Sequence, residues 1–217
     1  MPILDASGFY INTASSLVST AETETWNQQG NGAIQLNEAK AKLAELDIHL
    51  VRHFRQHPGF HAGVGANVYS ANFTRYAFRL TENAPQGLAA LPGAVSEDVT
   101  NLSAVLGLYY DSFFRDPGSR LRLTGLVQAG LPLYFSVENS SLPGEAFTSS
   151  IDGGVDLGAK AGAGYRLSKN FTALASLEWR YRHRDKIIKK LSDGRVAEAP
   201  DNDLHSWRPV VGVAWAF

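Results

Sequence analysis

The chain has 217 residues, 20 Lys and Arg against 21 Asp and Glu, and no Cys. That length suits one domain, and the near-neutral charge supplies no basic field for nucleic acid. The missing thiols exclude disulfides, Cys-ligated metal and thiol catalysis, and a mean hydropathy of −0.15 argues against a transmembrane helix.

Most of the chain alternates apolar and polar residues at period two, the mark of strands with one apolar face. A first strand is expected over about 8–18, with Phe9, Ile11 and Leu17 on its apolar side. Residues 38–56 are ambiguous. Leu43, Leu46, Leu50 and Phe54 fall at helical spacing, and 38–43 have high helix propensity. Ala44, Leu46, Ile48 and Leu50 also alternate with Glu45, Asp47 and His49, and a strand over 43–55 is preferred. Further strands are expected over 60–70, 101–114, 120–137, 154–166, 171–183 and 205–217. In 120–137, Leu121, Leu123, Val127, Leu131, Leu133 and Phe135 share one face, with Arg122, Gln128 and Tyr134 on the other.

Connectivity supports an eight-strand count. Tight turns at His57-Pro58-Gly59, 116–119 and 168–170 alternate with long polar connections over about 19–42, 71–99, 138–153 and 184–204. The chain therefore reads as an all-β, eight-stranded, antiparallel up-and-down barrel in a single domain spanning 1–217.

Three features place the apolar face outward, toward lipid, rather than inward as in a lipocalin-like barrel. Gly63, Gly65, Gly107, Gly130, Gly158, Gly162, Gly164 and Gly212 all lie on the polar face, where a crowded lumen needs space and a solvated surface does not. Aromatic residues gather near the strand ends: Phe9, Phe54, Phe60, Phe114, Tyr165 and Phe171 at one end, Trp179, Tyr181, Trp207 and Phe135 at the other. Several segments also exceed the ~9–11 residues that a tilted strand needs to cross a bilayer.

The chain resembles the small outer-membrane β-barrels of Gram-negative bacteria, of the OmpA/OmpX/OmpW type. Its last strand, Trp207 to Phe217, is similar to their C-terminal assembly signal, with Trp215 and the terminal Phe217 as its marks. Pro209 departs from that pattern by removing a ladder donor. The resemblance implies a mature chain in the outer membrane, its export signal absent from this sequence, with lipid bilayer, lipopolysaccharide and the assembly machinery as partners. By its OmpW branch it implies a porin-like transport role: a narrow passive route for small hydrophobic molecules entered through the loops.

On this reading the lumen holds Glu45, Asp47, His49, Arg122, Asp156, Lys160, Glu178, Arg180, Arg182 and Arg208. They form either an ion-paired plug or a polar path, with Lys160, Glu178, Arg180 and Arg208 at the constriction. A plugged barrel that is structural or adhesive is the alternative. The loops offer Leu88 and Leu91 at an apolar tip of 71–99, and Lys186, Lys189 and Lys190 as contacts for lipid phosphates.

Histidines recur at His49, His53, His57 and His61. Pro58-Gly59 breaks any helix that would align them, and on a strand His49 and His53 lie about 13 Å apart. No metal or cofactor is expected. Some barrels of this class hydrolyse lipid A through a Ser/His/acid set. Ser206, His205 and Glu178 are the nearest candidates, but His205 and Ser206 fall on opposite faces. No catalytic residue is assigned.

Overall fold

The computed structural model describes residues 4–28, 32–90, 93–151, 153–168 and 170–215. The chain is all β apart from a single 3₁₀ turn, Ser112–Phe114, among those residues. The strands are β1 (Leu4–Gln28), β2 (Gly32–Phe54), β3 (Phe60–Leu80), β4 (Ala94–Asp111), β5 (Leu121–Asn139), β6 (Ala146–Ser149), β7 (Gly154–Arg166), β8 (Phe171–Arg184), β9 (Ile187–Lys190), β10 (Val196–Ala199) and β11 (Asn202–Trp215). The main sheet is antiparallel, in the order β1-β2-β3-β4-β5-β7-β8-β11, with β6 paired to the upper part of β5. β9 and β10 form a separate hairpin.

The sheet is strongly curled. Laid flat, β2 and β8 would be five strand spacings apart, about 24 Å. Yet Asp47 of β2 bonds Arg180 of β8, and Arg208 Nη1 of β11 lies 2.6 Å from Glu45 Oε2 of β2. Side chains can meet that way only across the concave face. No ladder between β1 and β11 is among the described pairings.

Several strands extend beyond their expected bounds. β1 and β2 pair from Leu4↔Phe54 to Gln28↔Gly32, so most of the expected 19–42 connection is strand. Residues 38–43 are strand, not helix, because both neighbours, β1 and β3, bond this stretch. β3 runs to Leu80, which shortens the 71–99 connection to 81–93. β4 ends at Asp111 rather than 114, because the Asp111 side chain accepts from the Phe113 amide at 3.0 Å and starts the turn. The expected loop 138–153 contains β6, and 184–204 contains the β9–β10 hairpin. Pro209 stands opposite Leu177 with the β8–β11 ladder continuous on either side.

One assignment of faces is overturned. Phe135 is buried on the concave side, and Tyr134 is exposed outside. The β4–β5 register shifts between Leu102↔Tyr134 and Ser103↔Pro132, so the parity of β5 reverses at this bulge. Pro132, lacking an amide donor, sits at the irregularity, the usual place for proline within a sheet.

Elsewhere the parity holds and sorts the residues cleanly. The convex face exposes Ile48, Leu50, Val64, Leu106, Val127, Leu131, Trp207 and Val211, with Leu106 at 66% and Val211 at 84%. The concave face carries Asp47, His49, Asn67, Asn101, Ser103, Asp156 and Glu178, all buried. This inverts the arrangement of a soluble barrel. No described helix is long and apolar enough to cross a membrane, a test that leaves strands untouched.

Candidate functional site

The concave face is built in two tiers. The lower tier is polar and close-packed. Successive inward positions of β8 supply Glu178, Arg180, Arg182 and Arg184; β2 supplies Glu45 and Asp47; β7 supplies Asp156 and β11 Arg208. Four carboxylates thus meet four guanidiniums.

Glu45 is the hub. It accepts from Arg182 and, at 2.8 Å, from Asn67 Nδ2; it also lies 2.6 Å from Arg208 Nη1 and 3.7 Å from Arg180 Nε. Asp47 accepts from Arg180 and, at 2.8 Å, from Asn67. Glu178 Oε1 accepts from Arg180 Nε and Arg208 Nη2, both at 2.7 Å. Asp156 accepts from Ser103 Oγ, from Arg184 Nη2 at 2.9 Å and from Asn101 Nδ2 at 3.2 Å. Each carboxylate therefore has at least two donors, the condition under which burying such charge is tolerable.

Glycine makes the room. A Cβ on Gly158 would stand 2.9 Å from Gln128 Cγ and 3.1 Å from Arg180 Cδ. On Gly63 or Gly107 it would meet the Tyr109 ring at 2.9 Å. That ring reaches His49, whose Nδ1 shares a hydrogen bond with the Tyr109 hydroxyl. Below them His53 and His61 face one another, ring centroids 4.9 Å apart, with Phe114 packed on both. His57 lies in the turn.

The upper tier is apolar. Tyr69, Val99, Phe135, Val137 and Phe147 form a buried cluster, with Leu142, Ile187 and Leu204 packed against it. It surrounds a cavity of about 340 Å³ at the end away from the tight turns. Tyr69, Asn101, Arg182 and Arg184 close the cavity toward the lower tier. The Arg182 guanidinium lies 4.2 Å over the Tyr69 ring and that of Arg184 5.4 Å over Phe135, so the boundary between tiers is made of cation–π contacts.

The β9–β10 hairpin borders the cavity and is fastened to the β5–β6 hairpin. Lys189 Nζ lies 2.7 Å from Glu145 Oε2 and donates to the Ala146 carbonyl at 2.8 Å. The Ser192 amide donates to Glu145 Oε1 at 2.8 Å, and Leu191 is buried beside them. These donors, Lys189 foremost, hold the Glu145 carboxyl down at about 2.

Of the residues singled out from sequence, Glu45, Asp47, Asp156, Glu178, Arg180, Arg182 and Arg208 come together, and His49 lies at their edge, 3.8 Å from Asp47. Arg122 does not join them; it grips Asp111, with Nε 2.9 Å from Oδ1. Lys160 shares the inward face of β7 but makes no ion pair with a described residue. Lys186 lies 3.9 Å from Glu198 and Lys189 is bound to Glu145, so both face partners within the loops; Lys190 is exposed. Leu88 is exposed, while Leu91 and Phe217 lie outside the described residues, as does the side chain of Trp215. His205 is exposed on the convex face against Tyr181, Ser206 is half-buried on the other, and Glu178 is engaged by arginines.

Sequence reasoning missed Arg184, Tyr69, Asn67, Asn101 and Ser103. Arg184 simply continues the inward series Glu178, Arg180, Arg182, and the others lie at inward positions of β3 and β4. Phe147 carried no such signal, because β6 is only four residues long.

No family model matches the chain, and no curated protein matches it either.

Proposed function

We propose that the chain is an eight-stranded outer-membrane barrel, closed by β1 against β11, whose loop-end cavity is a route for small apolar molecules. The observation that carries the membrane setting is the inverted sheet: an outward band of Leu, Val, Ala and Trp around an inward lattice of paired charges. On β8 the uncharged outward run Ala173–Tyr181 spans about 27 Å along the strand, which suits a tilted crossing of a bilayer. The route ends above the ion-paired tier, because an apolar solute gains nothing by displacing those arginines from their carboxylates. The same tier favours a second reading, a plugged barrel that is structural or displays its loops.

Planar-bilayer recording of refolded protein, with cold and boiled gel mobility as a folding check, tests the proposal. Correctly inserted protein should carry no discrete ionic current, whereas Asp47→Ala with Arg180→Ala should admit steps. Steps from the unaltered protein would overturn the closed floor. Failure to insert would overturn the membrane setting. Binding of an apolar fluorophore, lost on filling the cavity with Val137→Trp, separates the route from the structural reading.

A further inference from the structure

We propose that the loop-end cavity takes a single-chain carboxylate, seated with its headgroup down on Tyr69, Arg182 and Arg184 and its tail against Phe135, Val137 and Phe147. The inference rests on the cavity being a binding route and adds the chemical class of the ligand.

Polar groups at the cavity floor are the first argument. Among the described residues, the buried Tyr69 hydroxyl and Arg184 Nε have no hydrogen-bond partner, and Arg182 Nε makes no hydrogen bond although Asp156 Oδ1 stands 3.6 Å away. The residues that carry them are 4–5% exposed and line the cavity. Three unused donors stand beside one unused acceptor, Asn101 Oδ1. A headgroup that completes this set must mainly accept hydrogen bonds, and a carboxylate accepts several while donating none. An ammonium headgroup would instead meet two guanidiniums.

Charge sets the direction of the ligand. Arg182 and Arg184 lie at the floor, whereas the rest of the lining carries Glu97, Asp185 and Glu198, whose cationic partners are Arg75, His183 and Lys186. A carboxylate at the mouth would face those acids, so it belongs at the bottom. The walls suit a tail rather than a second headgroup, since Val99, Phe135, Val137 and Phe147 are apolar and packed together.

Size limits the tail. A cavity of about 340 Å³ is at the small end of small-molecule sites. It equals the liquid volume of about eleven waters, which is room for a chain of about ten heavy atoms. A medium-chain carboxylate fits, and a two-chain lipid does not.

Calorimetry on the folded protein held in amphipol, free of lipid, tests this with decanoate, decanol and decyltrimethylammonium. Decanoate should bind about tenfold or more tighter than decanol, and the ammonium weakest. Arg184→Gln should erase the preference for decanoate. Tyr69→Phe keeps every ion pair and should narrow the preference, so the test survives if Arg184→Gln fails to fold. Val137→Trp should abolish binding of all three. Equal binding of decanoate and decanol, blocked by Val137→Trp, overturns the carboxylate class and leaves the cavity as a route. Binding that survives Val137→Trp overturns the placement in the cavity. No binding by any probe overturns both.

Discussion

Glu45 shows most directly what a single inward side chain does in this sheet. It faces Arg182 and Arg208 and accepts from Asn67, so Glu45→Gln leaves guanidinium charge buried without its counterion. The expected loss is about 3–5 kcal/mol of stability, read from the urea midpoint of the folded gel band. Glu45→Gln combined with Arg208→Gln should recover part of it, since the pair then leaves together. Glycine gives a second contrast. Gly158→Ala drives a methyl against Gln128 and Arg180 and should cost about 1–3 kcal/mol. Gly212→Ala meets nothing within 4 Å among the described residues and should be neutral or slightly stabilising in the same assay. Both glycines lie on the inward face, and only one is there to make space. Periodicity reveals the face but not the neighbour that crowds it.

At the scale of elements, the β9–β10 hairpin depends on Glu145. Its carboxyl titrates at about 2, below the value of 4.5 for a free glutamate, because Lys189 and the Ser192 amide favour the charged form. A depressed value means the contribution is complete above about 4.5 and is lost as pH falls toward 2. Amide exchange protection at Ser192 should therefore be flat from neutral pH to about 5 and then decline. Glu145→Gln should lower protection throughout and remove that pH dependence. Protection that is equal in both proteins and flat with pH would assign the fastening to Lys189 and Ala146 instead. The strands themselves were legible where inward and outward positions differ in polarity, as in β7 and β8. They were not legible in 19–42 and 71–80, where Lys40, Lys42 and Asn72 lie on the outward parity. Contrast between faces vanishes there, and with it the alternation, although the ladders continue. Phe135 was misplaced for another reason: a bulge reverses parity, and Pro132 is its only mark in the sequence. Which charges meet across the concave face was never legible, because curl and strand stagger decide it. Arg122 shares the inward side with the cluster yet pairs with Asp111, and Lys160, directly opposite Glu178 in the ladder, makes no ion pair with a described residue.

The setting of the whole molecule turns on the sign of one substitution. Leu106 is the middle residue of the outward run Leu102–Tyr110 on β4, opposite Val64 and Ala129, and is 66% exposed on the convex face. In water, an arginine at such a position would touch no partner and alter stability by at most about 0.5 kcal/mol, while improving solubility. In a bilayer the same side chain sits near the middle of the hydrocarbon, where it costs about 2–4 kcal/mol. Leu106→Arg should therefore destabilise protein folded into lipid vesicles by that amount, measured by reversible denaturation and gel mobility. Arg52 offers the matching control, since it is already exposed near the tight-turn end of β2 and can place its charge beyond the apolar band. Arg52→Leu should change little. A neutral Leu106→Arg in protein that folds without lipid would remove the membrane setting, and the outward apolar band would then need a protein partner to cover it. A loss confined to lipid would tie the apolar face to the bilayer, because only there does a fully exposed position penalise charge.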